Sequence, residues 1–430
     1  MGLKGLFRHS LIKDSATLLS SNVWAQALSF GAYVILTRLF TQEEFGLYNV
    51  FYSYIEIFII LSTCKYELSV VVADNDREAA AVMRLALRLN AIVSAVLVGV
   101  VVMVHYMLPD SRFSVITGHL GMSLLIPVMV FFCGTTRVYT FLFNRFRGFG
   151  QIALSEVVTS TTGVVIKILL GLTRPLSWLH GMGLPLGTVL GKVAGNVNYL
   201  IKIRRLGLPR NIKSEEVRAV ARKYKNYPLF SMPKDFLNSF SYNLPFLWLA
   251  LYFDKAEIGL FGLALTFTLR PVNLLNNAIE KALFVRVSEK VREGLSIEGD
   301  VWKFVKYINM VAVPFFALAY VFAGPLFSFV FGNKWAGCDF YVRCLLPWVM
   351  VSLTSTPLML LANVFGRQRG EFIFYVVLLV LRAASVLVGV VTGNLHLSIL
   401  LFSLSGMLVS LSLLAWYMML VREYERGLAR

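Results

Sequence analysis

Lys192, Arg270 and Arg382 each stand near the middle of a long apolar stretch, where a cation costs about 2.5 to 3.5 kcal/mol if it meets lipid at a helix centre. Such a residue must face the protein interior or water, and anion handling is the chemistry it suggests. Arginine holds phosphate oxygens through paired hydrogen bonds, and lysine supplies a compact point charge. Lys167 and Lys234 lie closer to segment ends, where a long side chain can reach an interface. Carboxylates are fewer: Glu56 is near mid-span, with Glu156, Asp235 and Glu280 nearer the ends. Two readings of the cations stay open. One is local ion pairing, for example Arg270 with Glu56; the other is a cationic cavity for an anionic substrate that Lys192, Arg270, Arg382 and Lys167 would bind.

Other motifs carry less chemistry. Asp74-Asn-Asp76 matches a metal- and sugar-nucleotide-binding pattern, but that chemistry needs an α/β nucleotide domain, and here the motif falls in a short turn between apolar segments. Gly181, Gly183 and Gly187 imitate a dinucleotide loop with no strand before it. They read better as part of a stripe, Gly183, Gly187, Gly191 and Gly195, whose spacing lets two membrane helices approach closely. The five histidines are scattered without a catalytic partner, and the four cysteines form no metal-ligand set. Cys338 and Cys344 fall near the same end of their segments; two free thiols are the expectation, pairing the alternative. No metal or cofactor is expected, and the chain does not read as an enzyme.

The elements that must position these residues are membrane helices. The chain is 57% hydrophobic and 15% charged with mean hydropathy +0.69, more apolar side chain than a soluble 430-residue protein can cover. A hydrocarbon core of about 30 Å takes about 20 apolar residues per helix. Twelve segments qualify, at approximately 15–37, 47–64, 89–108, 114–136, 152–172, 183–201, 229–253, 258–280, 304–323, 340–362, 372–392 and 396–420. The fold class is therefore all-α, a polytopic protein of about 12 transmembrane helices.

Net charge is +17, and 30 of the 41 Lys and Arg fall in the N-terminus, alternate loops and the C-terminus, against six in the other loops. By the positive-inside rule both termini are cytoplasmic. The basic balance thus reports orientation, with a contribution from anionic headgroups, and no nucleic-acid module is visible. The basic start, Met1–Lys13, precedes an apolar segment with no small-residue cleavage site, so no removable signal peptide is expected.

Two stretches repeat each other 213 positions apart. Thr41–Tyr48 (TQEEFGLY) aligns with Asp254–Phe261 (DKAEIGLF), each reading as a capping box, with Thr41 and Glu44 in one and Asp254 and Glu257 in the other. Asn144–Gly150 aligns with Asn363–Gly370 at offsets of 219 to 220. The chain thus divides into an N-terminal six-helix bundle over 1–201, a basic cytoplasmic linker over 202–228 with an amphipathic turn on the membrane surface, and a C-terminal six-helix bundle over 229–430. Prolines 127, 185, 245, 271, 314, 347 and 357 fall inside the spans and would bend them.

Glu44-Phe-Gly-Leu-Tyr48, Tyr227-Pro-Leu-Phe-Ser-Met-Pro233, Glu257-Ile-Gly-Leu-Phe261 and Arg270-Pro271 through Ala278-Ile279 resemble the polysaccharide transporter family. These are the O-antigen and related lipid-linked oligosaccharide flippases, within the superfamily of multidrug/oligosaccharidyl-lipid/polysaccharide exporters. The resemblance covers nearly the whole chain, through length, helix count and repeat. It implies two six-helix bundles around a central cavity, alternating access, and movement of an undecaprenyl-diphosphate-linked glycan from the inner to the outer leaflet of the bacterial inner membrane, for surface polysaccharide such as the O-antigen of lipopolysaccharide. Its implied partners are the bilayer, that glycan and other polysaccharide-assembly membrane proteins. Glu56, Glu156 and Asp235 are the candidates for coupling to a proton or sodium gradient. Two rivals remain: a cation-coupled multidrug extruder of the same fold, which would want acidic groups where this chain has cations, and a membrane-embedded glycan polymerase or ligase, which would need a large outward loop.

Overall fold

A computed structural model of the chain describes residue 24 and residues 26–107, 120–173, 181–209 and 211–428. Among them nine helices are long and apolar enough to cross a membrane, and no strand occurs. The chain is an all-α, multi-pass membrane protein. Its apolar surface agrees: Phe329, Val391 and Phe315 are 85%, 76% and 64% exposed, an arrangement that suits a lipid environment.

The N-terminal unit comprises residues 1–243. Residues 26–39 are helical (α1), and the start of the expected first span, 15–23, lies outside the described residues. Then follow α2 (Gln42–Ser62), α3 (Asp76–Met107), α4 (Leu120–Arg145), α5 (Phe149–Leu172), α6 (Gly183–Ile203) and α7 (Ser214–Lys223), and the unit ends inside α8 (Met232–Leu249). The Thr41 capping box is complete: Glu44 N–H donates to Thr41 Oγ1 at 3.2 Å and Thr41 N–H to Glu44 Oε2 at 2.7 Å. The glycine stripe does what its spacing suggests. A Cβ on Gly191 would lie 2.6 Å from the Thr159 carbonyl, and one on Gly187 would lie 3.1 Å from that of Gly163, so α5 and α6 touch backbone to backbone.

Two expectations change here. The apolar window ends at 136, but α4 continues to Arg145, so Arg137 is a helical residue inside the bundle and not part of a loop. The linker's amphipathic turn is the helix α7, and it docks on protein. Val217 and Val220 are buried with Val70, Ala79 to Val82, Leu142 and Ile212, because the apolar face of α7 finds a matching patch at the start of α3. Ion pairs close its rim, Arg77 with Glu216 at 2.5 Å and Lys223 with Asp74 at 2.8 Å. The Asp74-Asn-Asp76 motif is absorbed in this rim. Asn75 Oδ1 caps the Glu78 N–H at 2.9 Å, and Asp76 pairs with Arg145 at 3.2 Å.

The C-terminal unit, residues 244–430, holds the end of α8, α9 (Lys255–Arg292), α10 (Glu298–Phe331), α11 (Cys338–Ser355), α12 (Gln368–Thr392) and α13 (Leu395–Leu428). The second capping box is only half present. Asp254 accepts from Ala256 N–H at 3.1 Å, but the Glu257 carboxylate is taken by the Tyr341 hydroxyl. The other repeat holds in backbone detail: Arg147 and Gly366, 219 positions apart, are both left-handed (φ 53° and 66°). In each turn the next N–H reaches back five residues, Gly148 to Phe143 O at 2.7 Å and Arg367 to Ala362 O at 2.8 Å. Pro185 sits in the first turn of α6, where no helical N–H is lost, and Pro357 lies in a 3-10 turn (Thr356–Met359) that follows α11. All four cysteines are free thiols.

Candidate functional site

In the N-terminal unit, α4, α5 and α6 build a polar seam inside an apolar bundle. Asn196, 1% exposed, donates from Nδ2 to Phe132 O at 3.0 Å and Thr136 Oγ1 at 2.9 Å. One turn further, Tyr199 and Thr140 share a hydrogen bond at 3.1 Å, and Asn198 donates to Ser155 Oγ at 2.8 Å. Lys192, Arg137 and Glu156 gather here, all within electrostatic reach of Cys133, and Glu156 also acts on Tyr199. Lys192 and Arg137 are half-buried, so the seam holds two cations, one carboxylate and a run of hydroxyls and amides. Such a set can accept an anion or pass a proton. Sequence reasoning missed Arg137; the signal available was helical phase, since it stands one turn beyond Cys133 on the same face of α4.

Lys167 lies further along α5. Its stem packs on Gly187, and its ammonium stands 5.1 Å from the ring centre of Tyr48, whose hydroxyl accepts from Thr188 at 3.2 Å. The interaction is cation–π, with the stem using space the glycine leaves. Of the proposed coupling residues, Glu56 and Asp235 tie α8 to the N-terminal unit. Asn243 Nδ2 donates to Glu56 Oε2 at 2.9 Å and Ser239 Oγ to Glu56 O at 3.0 Å, while Asp235 pairs with Lys65 at 2.5 Å.

In the C-terminal unit Arg382 is 2% exposed, its guanidinium 4.8 Å from the Trp348 ring and 4.4 Å from the Phe402 ring. It is a stacked, desolvated cation. Arg270 is half-buried on α9 just before Pro271. A second feature went unread in the sequence: Glu371, 1% exposed, accepts from the Tyr417 hydroxyl at 2.9 Å, with Tyr375 and Glu280 in electrostatic reach. Glu371 stands in the first turn of α12, where acids are ordinary, and its aromatic partner comes from α13. No cluster able to hold a metal ion occurs among the described residues.

Residues 35–339 match the family described as "Polysaccharide biosynthesis protein". The chain belongs to this family. Its fold is one that solved transporters of the MOP superfamily share. The fold is that of "Lipid II flippase MurJ, inward closed conformation", with TM-score 0.72 at 10% identity over 96% of this chain and 91% of that one. It is shared by a multidrug resistance MATE family transporter in an inward-facing conformation, with TM-score 0.63 at 14% identity over 94% and 96%. A further match is a MOP superfamily transporter from Pyrococcus furiosus, with TM-score 0.56 at 12% identity over 96% of each chain. No curated protein matches the chain significantly.

Proposed function

We propose that the protein is a flippase that carries an undecaprenyl-diphosphate-linked oligosaccharide from the inner to the outer leaflet of the bacterial inner membrane by alternating access, with both termini cytoplasmic. The observation that carries this reading is the sign of the charge inside the spans: Lys167, Lys192, Arg137 and Arg270 are cations, and Lys192 and Arg137 share a seam rich in hydrogen-bonding side chains. A diphosphate loses water on crossing, and such donors replace it. Family membership supports a polysaccharide-assembly context, in which other membrane proteins of that assembly are natural partners.

Coupling to a proton or sodium gradient would use Glu156 in the seam, with Glu56 and Asp235 at the α8 contacts. A multidrug extruder of the same fold fits less well, because a cationic drug would meet like charge. The deciding experiment deletes the gene and asks which lipid-linked glycan accumulates and in which leaflet. Accumulation of a diphosphate-linked oligosaccharide in the inner leaflet is expected, with recovery by the wild-type gene and not by Lys192→Gln. Unchanged glycan distribution with increased drug sensitivity would overturn the proposal.

A further inference from the structure

The C-terminal unit contains a groove of about 400 Å³ that no step above uses, lined by Tyr320 of α10, Phe340, Arg343 and Pro347 of α11, and Leu404 and Met407 of α13 among others. Among the described residues its one charged lining residue, Arg343, is at the shallow side. Arg343 lies five residues into α11, about 8 Å from the helix end, whereas Pro347 is about 14 Å and Met407 of α13 about 18 Å from their helix ends. Arg343 thus lies nearer the helix ends than Pro347, Leu404 and Met407 do.

Arg343 lines the shallow end, and Asp339 stands beside it. Arg343 Nη2 is 3.7 Å from Asp339 Oδ2, an ion pair too long for a hydrogen bond, and the two side chains are 41% and 34% exposed. The Arg343 Nε is buried without a hydrogen-bond partner, and the guanidinium carbon lies 5.9 Å from the Tyr320 ring centre. Its donors therefore exceed the acceptors the protein offers, beside a carboxylate that keeps acceptor capacity of its own. On the neighbouring helix Gly324 has no side chain to cover the pair; a Cβ there would lie 3.6 to 3.8 Å from Asp339 and Arg343 atoms.

We infer that this groove binds a zwitterionic aminophospholipid, with its phosphate on Arg343, its ammonium on Asp339 and an acyl chain along Pro347, Leu404 and Met407. Charge complementarity selects this occupant. A lone anionic headgroup would satisfy Arg343 but meet the Asp339 carboxylate, whereas an ethanolamine phosphate presents both signs two carbons apart. The groove is separate from the seam and from the stacked Arg382, so the inference does not rest on the proposed transport substrate.

The test uses the purified full-length protein in detergent, titrated with dioleoyl phosphatidylethanolamine, dioleoyl phosphatidylglycerol and dioleoylglycerol, and read by native mass spectrometry and thermal melting. Phosphatidylethanolamine should bind more tightly than phosphatidylglycerol, and dioleoylglycerol should bind hardly at all. Arg343→Gln should weaken both phospholipids about tenfold, and Arg343→Lys should recover part. Asp339→Asn should abolish the preference by weakening the first and strengthening the second. Leu404→Trp, which fills the groove and keeps both charges, should block both, and it serves if a charge variant fails to fold. Equal or tighter binding of phosphatidylglycerol by the wild type, tight binding of dioleoylglycerol, or unaltered binding in both Arg343→Gln and Leu404→Trp would overturn the inference.

Discussion

Lys192 and Arg382 look alike in the sequence, each a lone cation in an apolar segment, and the two units treat them in opposite ways. The N-terminal unit leaves Lys192 half-buried beside Arg137, Glu156 and a run of amides and hydroxyls that can trade partners. The C-terminal unit closes Arg382 between Trp348 and Phe402 until 2% of it is exposed. The first environment keeps hydrogen-bonding capacity in reserve, as the proposed transport of a diphosphate would require. The second satisfies much of the cation within the fold, as a structural post requires. Charge at mid-span therefore names a functional candidate but not its role, and the neighbouring side chains decide which it is.

The comparison breaks most severely if the frame around Lys192 is removed. Gly191→Leu should abolish assembled protein, since its first carbon alone would overlap the Thr159 carbonyl and the Gly163 backbone. Overpacking against backbone costs about 3 kcal/mol, enough to unfold a marginal bundle. Gly150→Ala, which meets nothing within 4 Å, is the control and should be near wild type in detergent-extracted abundance.

Next in size is the contrast itself. Arg382→Gln should lower abundance and melting temperature, because two desolvated cation–π contacts are worth about 2 kcal/mol or more and a short amide cannot stack across both rings. Arg382→Lys should not restore them. Lys192→Gln and Arg137→Gln should instead leave abundance near normal while export of the lipid-linked glycan falls about tenfold or more. Abundance measured with export for the three variants checks both halves. Normal abundance with lost export in Arg382→Gln would make the two cations equivalent.

What the sequence revealed and what it hid divide along chain distance. Helix starts and the glycine stripe were legible because a cap and a stripe are set within a few residues. The helical placement of Arg137 was not, since a hydropathy window stops at the first charge, while a helix continues as long as its backbone bonds and its buried face do. The aromatic walls around Arg382 come from α11 and α13, and the partners of Glu371 include Tyr417 of α13, so nothing local announces either. The surface reading of the linker failed for a related reason. An amphipathic helix shows that it has an apolar face, not whether lipid or protein covers it.

The smallest expected effect concerns that docked helix, whose rim of charges is open to solvent. The Arg77 guanidinium, hydrogen-bonded to Glu216, holds that carboxyl below the usual range, and hydrogen bonds to Asp74 and Glu78 push the Lys223 ammonium up. The signs fix a window. A depressed carboxyl contributes fully above its unfolded value, about 4.3, and loses that contribution as pH falls through the folded value; a raised ammonium contributes fully below about 10.4 and loses it as pH rises through the folded value. The rim of α7 is therefore tightest across neutral pH. These groups are exposed, so salt screens them, and the apolar contacts of Val217 and Val220 carry most of the docking. Proteolysis in the segment before α7 should rise about twofold below pH 4 or in 1 M salt, and Glu216→Gln should remove the acid-dependent part. Val217→Asp should undock the helix at every pH. A rate independent of pH and salt would leave the ion pairs without a role, and the buried valines alone would then hold α7.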